Sequence, residues 1–63
     1  MSDNTRYAVR RMVDGFFKNW VADGRGVMTY TERKDAERFA ARLTLAESQA
    51  LVTYQADEYR EAN

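Results

Sequence analysis

Cysteine and histidine are absent from this chain, and its 63 residues include only three glycines. Without cysteine there is neither a disulfide nor a thiol nucleophile, and without histidine there is no catalytic triad, imidazole base or histidine-containing metal site. The glycines, at positions 15, 24 and 26, form no phosphate-binding loop. A chain this short also has little room for a cleft of enzymatic size. We therefore expect a protein that is not an enzyme and that uses no cofactor and no metal.

The sequence also lacks any apolar run near the roughly 18 residues needed to span a membrane. Its start, Met1-Ser2-Asp3-Asn4, has no basic region and no apolar stretch of the kind found in signal peptides. We expect a cytoplasmic protein that makes no membrane contact.

A single domain over residues 1–63 is what this length allows, and such a domain buries only about 60% of the surface of its unfolded chain. Since no disulfide or metal adds stability, a homodimer or a bound partner would be a natural further source of it. The hydrophobic content of 44% argues against disorder. We expect fraying only at residues 1–5 and 58–63.

The net charge is zero, yet the charges are unevenly placed. Residues 1–34 carry seven basic and four acidic groups, a net charge of +3, whereas residues 35–63 carry three basic and six acidic groups, a net charge of −3. Two interpretations stay open: an ordinary solvated surface, or a dipolar surface whose poles face different partners or different parts of one partner.

The first half of the chain has the pattern of a β-hairpin. Tyr7–Val13 and Phe16–Ala22 are rich in strand formers, and Asp14-Gly15 between them is a strong hairpin signal because both turn positions need a positive φ. A second turn at Asp23–Gly26 ends the hairpin. Val27–Tyr30 then adds a short third strand or an extended lead-in to the next element.

One helix is predicted over Glu32–Leu43, with Thr31 as its N-cap. An apolar stripe at helical spacing runs along it, formed by Ala36, Phe39, Ala40 and Leu43. Leu45–Ala50 is either a loop or another helical turn, and Leu51–Ala56 reads as the final strand.

These elements predict an α+β fold in the order ββ(β)αβ, with a small antiparallel sheet of three strands, and a short fourth as an option, packed against one helix. The last strand is expected to pair with the first, which gives the sheet order 2-1-last.

Pairing across a two-residue turn predicts which hairpin face the helix covers. Val13 then opposes Phe16, and Val9 opposes Trp20, on one face. Because the small stripe residues of the helix would admit a large ring, this face is assigned to the core. A different register, or terminal segments folded over the open face, is the alternative.

The opposite face is left free, and an apolar patch rimmed by polar groups on a small protein marks a contact surface. The predicted partner-binding residues are Arg10, Met12, Phe17, Asn19, Val21 and Arg25. An alternative acidic site, suited to competing for a basic nucleic-acid channel, comprises Glu47, Asp57, Glu58 and Glu61.

The chain also has a loose pattern of residues along the hairpin and helix: Tyr7, Val9, Arg10, Gly15, Tyr30, Thr31, Ala36, Phe39 and Ala40. This pattern resembles the arm-binding N-terminal domains of phage tyrosine integrases, in which three strands lie against one helix. The resemblance implies a sequence-specific DNA-binding module whose sheet enters the major groove, with Arg10, Lys18, Asn19 and Arg25 as candidate readers.

In type, though not in motif, the chain also resembles the small inhibitor proteins of phages and mobile elements, of which anti-CRISPR proteins are the best-known group. That resemblance implies stoichiometric binding to a host protein or nucleoprotein complex. A pI of about 6.2 is unfavourable for phosphate binding, so we place the protein-binding inhibitor first and nucleic-acid binding second.

Overall fold

A computed structural model of the chain describes residues 5–60. Within that range the elements are β1 (Arg6–Val13), β2 (Phe16–Trp20), β3 (Ala22–Asp23), β4 (Gly26–Val27), β5 (Thr29–Tyr30), α1 (Arg33–Ala46) and β6 (Val52–Tyr59). One helix packs on a small antiparallel sheet, so the predicted α+β fold is confirmed.

Strand β1 is the centre of the main sheet. On one side it pairs along its whole length with β6, and on the other side with β2 and with the short β5. All of these pairings are antiparallel, and the predicted order 2-1-last is confirmed. Strands β3 and β4 form a separate two-stranded ribbon.

The turn between β1 and β2 has the two residues that the sequence predicts. Asp14 has φ 54° and Gly15 has φ 81°, and Val13 lies opposite Phe16. Two positive φ values in succession match the right-handed twist of the flanking strands, which is why an Asp-Gly pair is favoured here.

Beyond the turn, the pairing of β1 with β2 shifts by one residue. Met12 lies opposite Phe17, but the next pair joins Arg11 to Asn19, so Lys18 is an extra residue in β2. Because successive strand residues point to opposite faces, one extra residue reverses the faces of everything that follows. Trp20 consequently lies opposite Arg10, and the prediction that it opposes Val9 in the core is wrong.

The core is formed where α1 meets the face of β1 that carries Val9. Val9, Ala36 and Ala40 are its buried residues, at 1%, 0% and 4% exposure. Packed against them are Tyr7, Val21, Tyr30, Phe39, Leu43, Tyr54 and Ala56. The predicted helix stripe is therefore confirmed. Val21 belongs to this core, and its N–H donates to the Val9 carbonyl over 2.8 Å, so its predicted place on the open face is wrong.

The helix lies mainly over β6 and β1, which leaves the edge strand β2 poorly covered on the helix side. Phe16, at the start of β2, is 74% exposed, so its predicted role in the core is wrong. Val13 is half-buried. Since β2 is an edge strand that the helix does not reach, an apolar residue on its helix side has little to pack against.

Several element boundaries also differ from those predicted: α1 continues past Leu43 to Ala46, and β6 begins at Val52 rather than Leu51. Glu32, rather than Thr31, is the N-cap of α1, and its side chain makes no capping hydrogen bond. Strand β6 extends to Tyr59, where the sequence predicted fraying from residue 58, and that prediction is wrong for Glu58 and Tyr59. Pairing with Arg6 and Tyr7 of β1 overrides the low strand propensity of the Asp57-Glu58 pair. The predicted frayed residues 1–4 and 61–63 lie outside the described range.

Among the described residues, no helix has the length and apolar character that crossing a bilayer requires.

The β1–β2 turn generates a test of the fold. A Cβ at either Gly15 or Gly24 would meet nothing within 4 Å, but only Gly15 has a positive φ of the two. We expect Gly15→Ala to lower the free energy of unfolding by about 1 kcal/mol, because an L side chain disfavours that backbone conformation. The measurement is urea unfolding followed by circular dichroism. Gly24→Ala is the matched control and should leave the midpoint unchanged; equal losses from both would contradict the turn geometry.

Candidate functional site

The sheet face opposite α1, here called the open face, is shared by three strands. Strand alternation and the observed register place on it Arg6, Ala8, Arg10 and Met12 from β1, Phe17 and Trp20 from β2, and Thr53, Gln55, Asp57 and Tyr59 from β6. Among the described residues no helix packs on this side of the sheet.

Three aromatic rings form a continuous row on the open face. The ring centroids of Phe17 and Trp20 are 5.5 Å apart at an interplanar angle of 64°, and those of Trp20 and Tyr59 are 5.2 Å apart at 89°. Both contacts are edge-to-face arrangements, which suit the ring quadrupoles. Trp20 comes from β2 and Tyr59 from β6, so the row crosses β1 from one flank to the other.

Small or flexible side chains of β1 lie between the aromatic residues of β2 and β6. Ala8 is fully buried and Met12 is 9% exposed, although both point to the face without a helix. A methyl group at position 8 leaves room for the rings of Trp20 and Tyr59 to meet across β1. Met12 was predicted as a binding residue; it lies on the open face as expected but beneath its surface.

Arg10 holds a central place among these rings. Its guanidinium carbon lies 5.0 Å from the centroid of the Phe17 ring, within cation–π range. Its Nη1 donates to Oδ2 of Asp57 over 2.8 Å, and the two side chains are 30% and 43% exposed. Arg10, on β1, thus contacts both neighbouring strands: Phe17 of β2 and Asp57 of β6.

Asp57 accepts a second hydrogen bond, over 2.8 Å, from the backbone N–H of Glu58. That bond is the main reason why the pKa of Asp57 lies below its ordinary value of 3.8; partial burial works against the shift, and the bond from Arg10 adds to it. The carboxylate is therefore ionised and held in position. We call Arg10, Phe17, Trp20, Asp57 and Tyr59 together the Arg10 cluster.

Of the other predicted partner-binding residues, Phe17 is 45% exposed and lies in the Arg10 cluster. Asn19 does not lie on the open face, because it opposes Arg11 after the register shift; its side-chain amide donates to the Trp20 carbonyl. Arg25 lies in the exposed turn between β3 and β4, where its N–H donates to Asp23. The structure therefore brings together Arg10, Met12 and Phe17 but not the other three.

The predicted acidic site is dispersed. Asp57 belongs to the open face, whereas its neighbour Glu58 points to the helix side of β6 and pairs with Arg60 at 3.7 Å. Glu47 caps the C-terminal end of α1, and Glu61 lies outside the described residues. The three described carboxylates share no common surface.

Glu47 and Tyr54 connect the end of the helix to β6. The Tyr54 hydroxyl donates to Oε1 of Glu47 over 2.9 Å. This bond is the largest cause of both the lowered pKa of Glu47 and the raised pKa of Tyr54. Glu47 is therefore part of a structural contact rather than an unengaged acidic group.

Sequence reasoning missed Trp20 and Tyr59 as members of the site. A signal for the first was present: Phe16-Phe17 and Trp20-Val21 are apolar pairs separated by two polar residues, which breaks the period of two expected of a regular strand. One extra residue restores the pattern and puts Phe17 and Trp20 on one face. No local signal in the sequence predicts that Tyr59 belongs to the site. It follows Asp57 and Glu58, whose low strand propensity indicates that the strand ends before them.

A shallow groove of about 320 Å³ lies elsewhere, between α1 and β5, lined by Tyr30, Asp35, Arg38, Phe39 and Arg42. Within residues 5–60, no three acidic residues are grouped so that they could hold a metal ion. Comparisons with protein-family models, with curated proteins and with solved structures find no match for this chain. The two resemblances stated from the sequence thus remain predictions.

The corrected position of Trp20 can be tested directly, because it is the sole tryptophan in the sequence. We expect Tyr59→Ala to shift the tryptophan emission to longer wavelength and to increase acrylamide quenching, because the ring that contacts Trp20 is removed. Tyr54→Phe, on the helix side of the same strand, should change neither. If Tyr59→Ala left the emission unchanged in a folded protein, Trp20 would not lie on the open face.

The carboxylate of Asp57 generates a pH-dependent prediction. Its pKa is lowered in the folded state, so its stabilising contribution is present above the ordinary value of 3.8 and is lost as the pH falls through the folded pKa. We expect wild type to be more stable than Asp57→Asn at pH 7, by less than about 1 kcal/mol because the pair is partly exposed. Urea unfolding between pH 7 and pH 3 should show this difference shrinking; a difference that grows on acidification would contradict the assignment.

Proposed function

We propose that this protein is a non-enzymatic binding protein that docks on a protein partner through the open face of its sheet. The observation that carries the proposal is the Arg10 cluster, in which three aromatic rings and an arginine lie on the face that α1 leaves uncovered. Tryptophan, tyrosine and arginine are the residue types enriched at the energetic centres of protein interfaces.

The physical state of these side chains also favours binding. Each is held by a neighbour: Trp20 by Phe17 and Tyr59, and Arg10 by Asp57 and Phe17. Side chains that are already ordered lose less conformational entropy on association, so more of their contact energy appears as affinity. Phe17, at 45% exposure, has the highest exposed fraction of the three rings.

A protein partner is favoured over duplex DNA because the arginine at the centre of this face is already neutralised by Asp57. A phosphate or base contact by Arg10 would have to replace that ion pair. The chain as a whole carries no net charge, which gives little of the counterion release that drives nucleic-acid binding. Sequence-specific DNA binding through the hairpin is therefore the second hypothesis.

Stoichiometric inhibition of a host protein or nucleoprotein complex, in the manner of anti-CRISPR proteins, is the narrower form of the proposal. It is supported by the type of chain, a small neutral α+β protein. A functional assay against a purified target, once one is captured, would distinguish an inhibitor from an adaptor.

The test compares two adjacent phenylalanines that point to opposite faces of β2. Phe17→Ala should weaken the complex with a partner captured by the wild-type chain by about tenfold or more, the loss typical of an interface centre. Phe16→Ala removes the same ring from a site that is 74% exposed on the other face, and it should leave the affinity unchanged. Affinity is measured by titration calorimetry, with circular dichroism to confirm that both variants fold.

Retained affinity in Phe17→Ala, or a loss confined to Phe16→Ala, would overturn the open face as the site. Capture is carried out with and without nuclease digestion, because a nucleic-acid-bridged association disappears on digestion. Fluorescence anisotropy with duplex DNA in low salt completes the experiment: binding that weakens steeply with added salt would favour the DNA hypothesis instead.

A further inference from the structure

The outer edge of β6 presents backbone groups whose directions follow from the pairing with β1. The Asp14 N–H donates to the Leu51 carbonyl over 2.9 Å, and the register then runs without a shift from Val13–Val52 to Arg6–Tyr59. In an antiparallel ladder, directly opposed residues alternate between hydrogen-bonded and non-hydrogen-bonded pairs. The N–H and C=O groups of the odd-numbered residues of β6 therefore point to β1, and those of the even-numbered residues point outward.

At both ends of β6 the outward N–H groups are satisfied within the chain. The Val52 N–H donates to the Gln49 carbonyl over 3.2 Å, and the Glu58 N–H donates to Oδ1 of Asp57 over 2.8 Å. Between them, Tyr54 and Ala56 each direct one N–H and one C=O outward. Within residues 5–60, no strand pairs with this edge. Four adjacent backbone groups, two donors and two acceptors, are thus left for an incoming strand.

The opposite edge of the sheet is protected by contrast. Strand β2 has five residues and carries the extra Lys18 at its bulge, and short, bulged, lysine-bearing edges resist further strand pairing. Strand β6 has eight residues and a regular register with β1. The fold therefore offers one edge, and not the other, as a template for another strand.

We propose that the outer edge of β6 pairs with β6 of a second copy of this chain, forming a two-fold symmetric dimer with one continuous sheet. With the symmetry axis at Gln55, Tyr54 of each copy lies opposite Ala56 of the other. Each such pair exchanges two hydrogen bonds, so the four bonds of the dimer use both outward N–H groups of β6 that no described residue satisfies, together with the carbonyls of Tyr54 and Ala56.

The side chains fit the same register. On the open face Gln55 meets Gln55 of the second copy, and Thr53 meets Asp57 of the second copy, so no like charges are directly opposed. On the helix side, Tyr54 lies beside the small Ala56 of the second copy. The flank of α1 opposite Phe39 carries the short Ala41 and Thr44 towards its C-terminal end and the ion pair of Arg33 with Glu37 towards its N-terminal end.

The two-fold axis is perpendicular to the sheet, so the open faces of the two copies lie on the same side and form one surface. The dimer is independent of the proposed function, because its contacts are backbone groups at an edge while the Arg10 cluster lies on the face. A contact of four backbone hydrogen bonds is small, so association should be weak and visible only at high protein concentration.

The test is sedimentation velocity from about 10 μM to about 1 mM, a range suited to weak dimers. The molar mass of the wild type should rise from 7.3 kDa towards twice that value. Gln55→Glu should weaken the dimer by roughly two- to fivefold, because it opposes two carboxylates at the axis. Within one chain the new carboxylate lies opposite Arg10, whose charge offsets its repulsion with Asp57 on the same face, and circular dichroism confirms that the variant folds.

Thr53→Lys is the matched control, a charge introduced on the same face of the same strand. It faces Asp57 of the second copy, so dimerisation should be unchanged or strengthened. Ala56→Pro removes an outward N–H that β1 does not use and should weaken the dimer by about tenfold or more. If that variant fails to fold, Gln55→Glu carries the test.

Amide chemical shifts identify the edge. With rising concentration the amides of Tyr54 and Ala56 should shift, while that of Glu58, which is satisfied by Asp57, should not. A wild-type chain that remains at 7.3 kDa throughout overturns the dimer. A dimer equally tolerant of Gln55→Glu and Thr53→Lys, or one without shifts at Tyr54 and Ala56, overturns the β6 edge and its register.

Discussion

Lys18 is the extra residue that β2 carries against β1, and the pairing of the two strands shifts by one position there. The faces on which the residues of β2 beyond Lys18 lie depend on that shift. Before it, Phe17 points to the open face; after it, Trp20 points to the same face although it is three residues away, and Val21 joins the core. Without the bulge, Trp20 would lie under α1, where Ala36 and Ala40 already pack closely on Val9.

The bulge also explains how so short a chain accommodates its aromatic residues. Tyr7, Tyr30, Phe39 and Tyr54 pack around the small helix–sheet core, while Phe17, Trp20 and Tyr59 pack on one another on the open face. No helix of the described residues covers the second group, and its order comes from ring-to-ring contacts and from the ion pair of Arg10 with Asp57. The proposed docking of a partner rests on this ordered, uncovered surface.

Asp57 connects this surface to the sheet edge. One carboxylate oxygen holds Arg10, whose guanidinium lies over the Phe17 ring, and the other accepts the Glu58 N–H that would otherwise point outward from β6. The same side chain thus contributes to the order of the open face and limits the length of free edge. The face and the edge are distinct surfaces, and the pairing of β1 with β6 positions both.

The hairpin turn, the helix stripe and the strand segments were predictable from the sequence, because each depends on local rules: positive φ at Asp14-Gly15, helical spacing from Ala36 to Leu43, and strand propensity. The sequence also predicted the α+β class and the strand order, which follow from the simplest pairing of those segments. It also predicted that Arg10 and Phe17 share the uncovered face. The tertiary structure alone decided the bulge, the position of Trp20 and the extension of β6 to Tyr59. Those features depend on pairing energies summed along β1, where the fit of whole strands outweighs the preference of any single residue, and a one-residue shift reverses the face of each side chain beyond it.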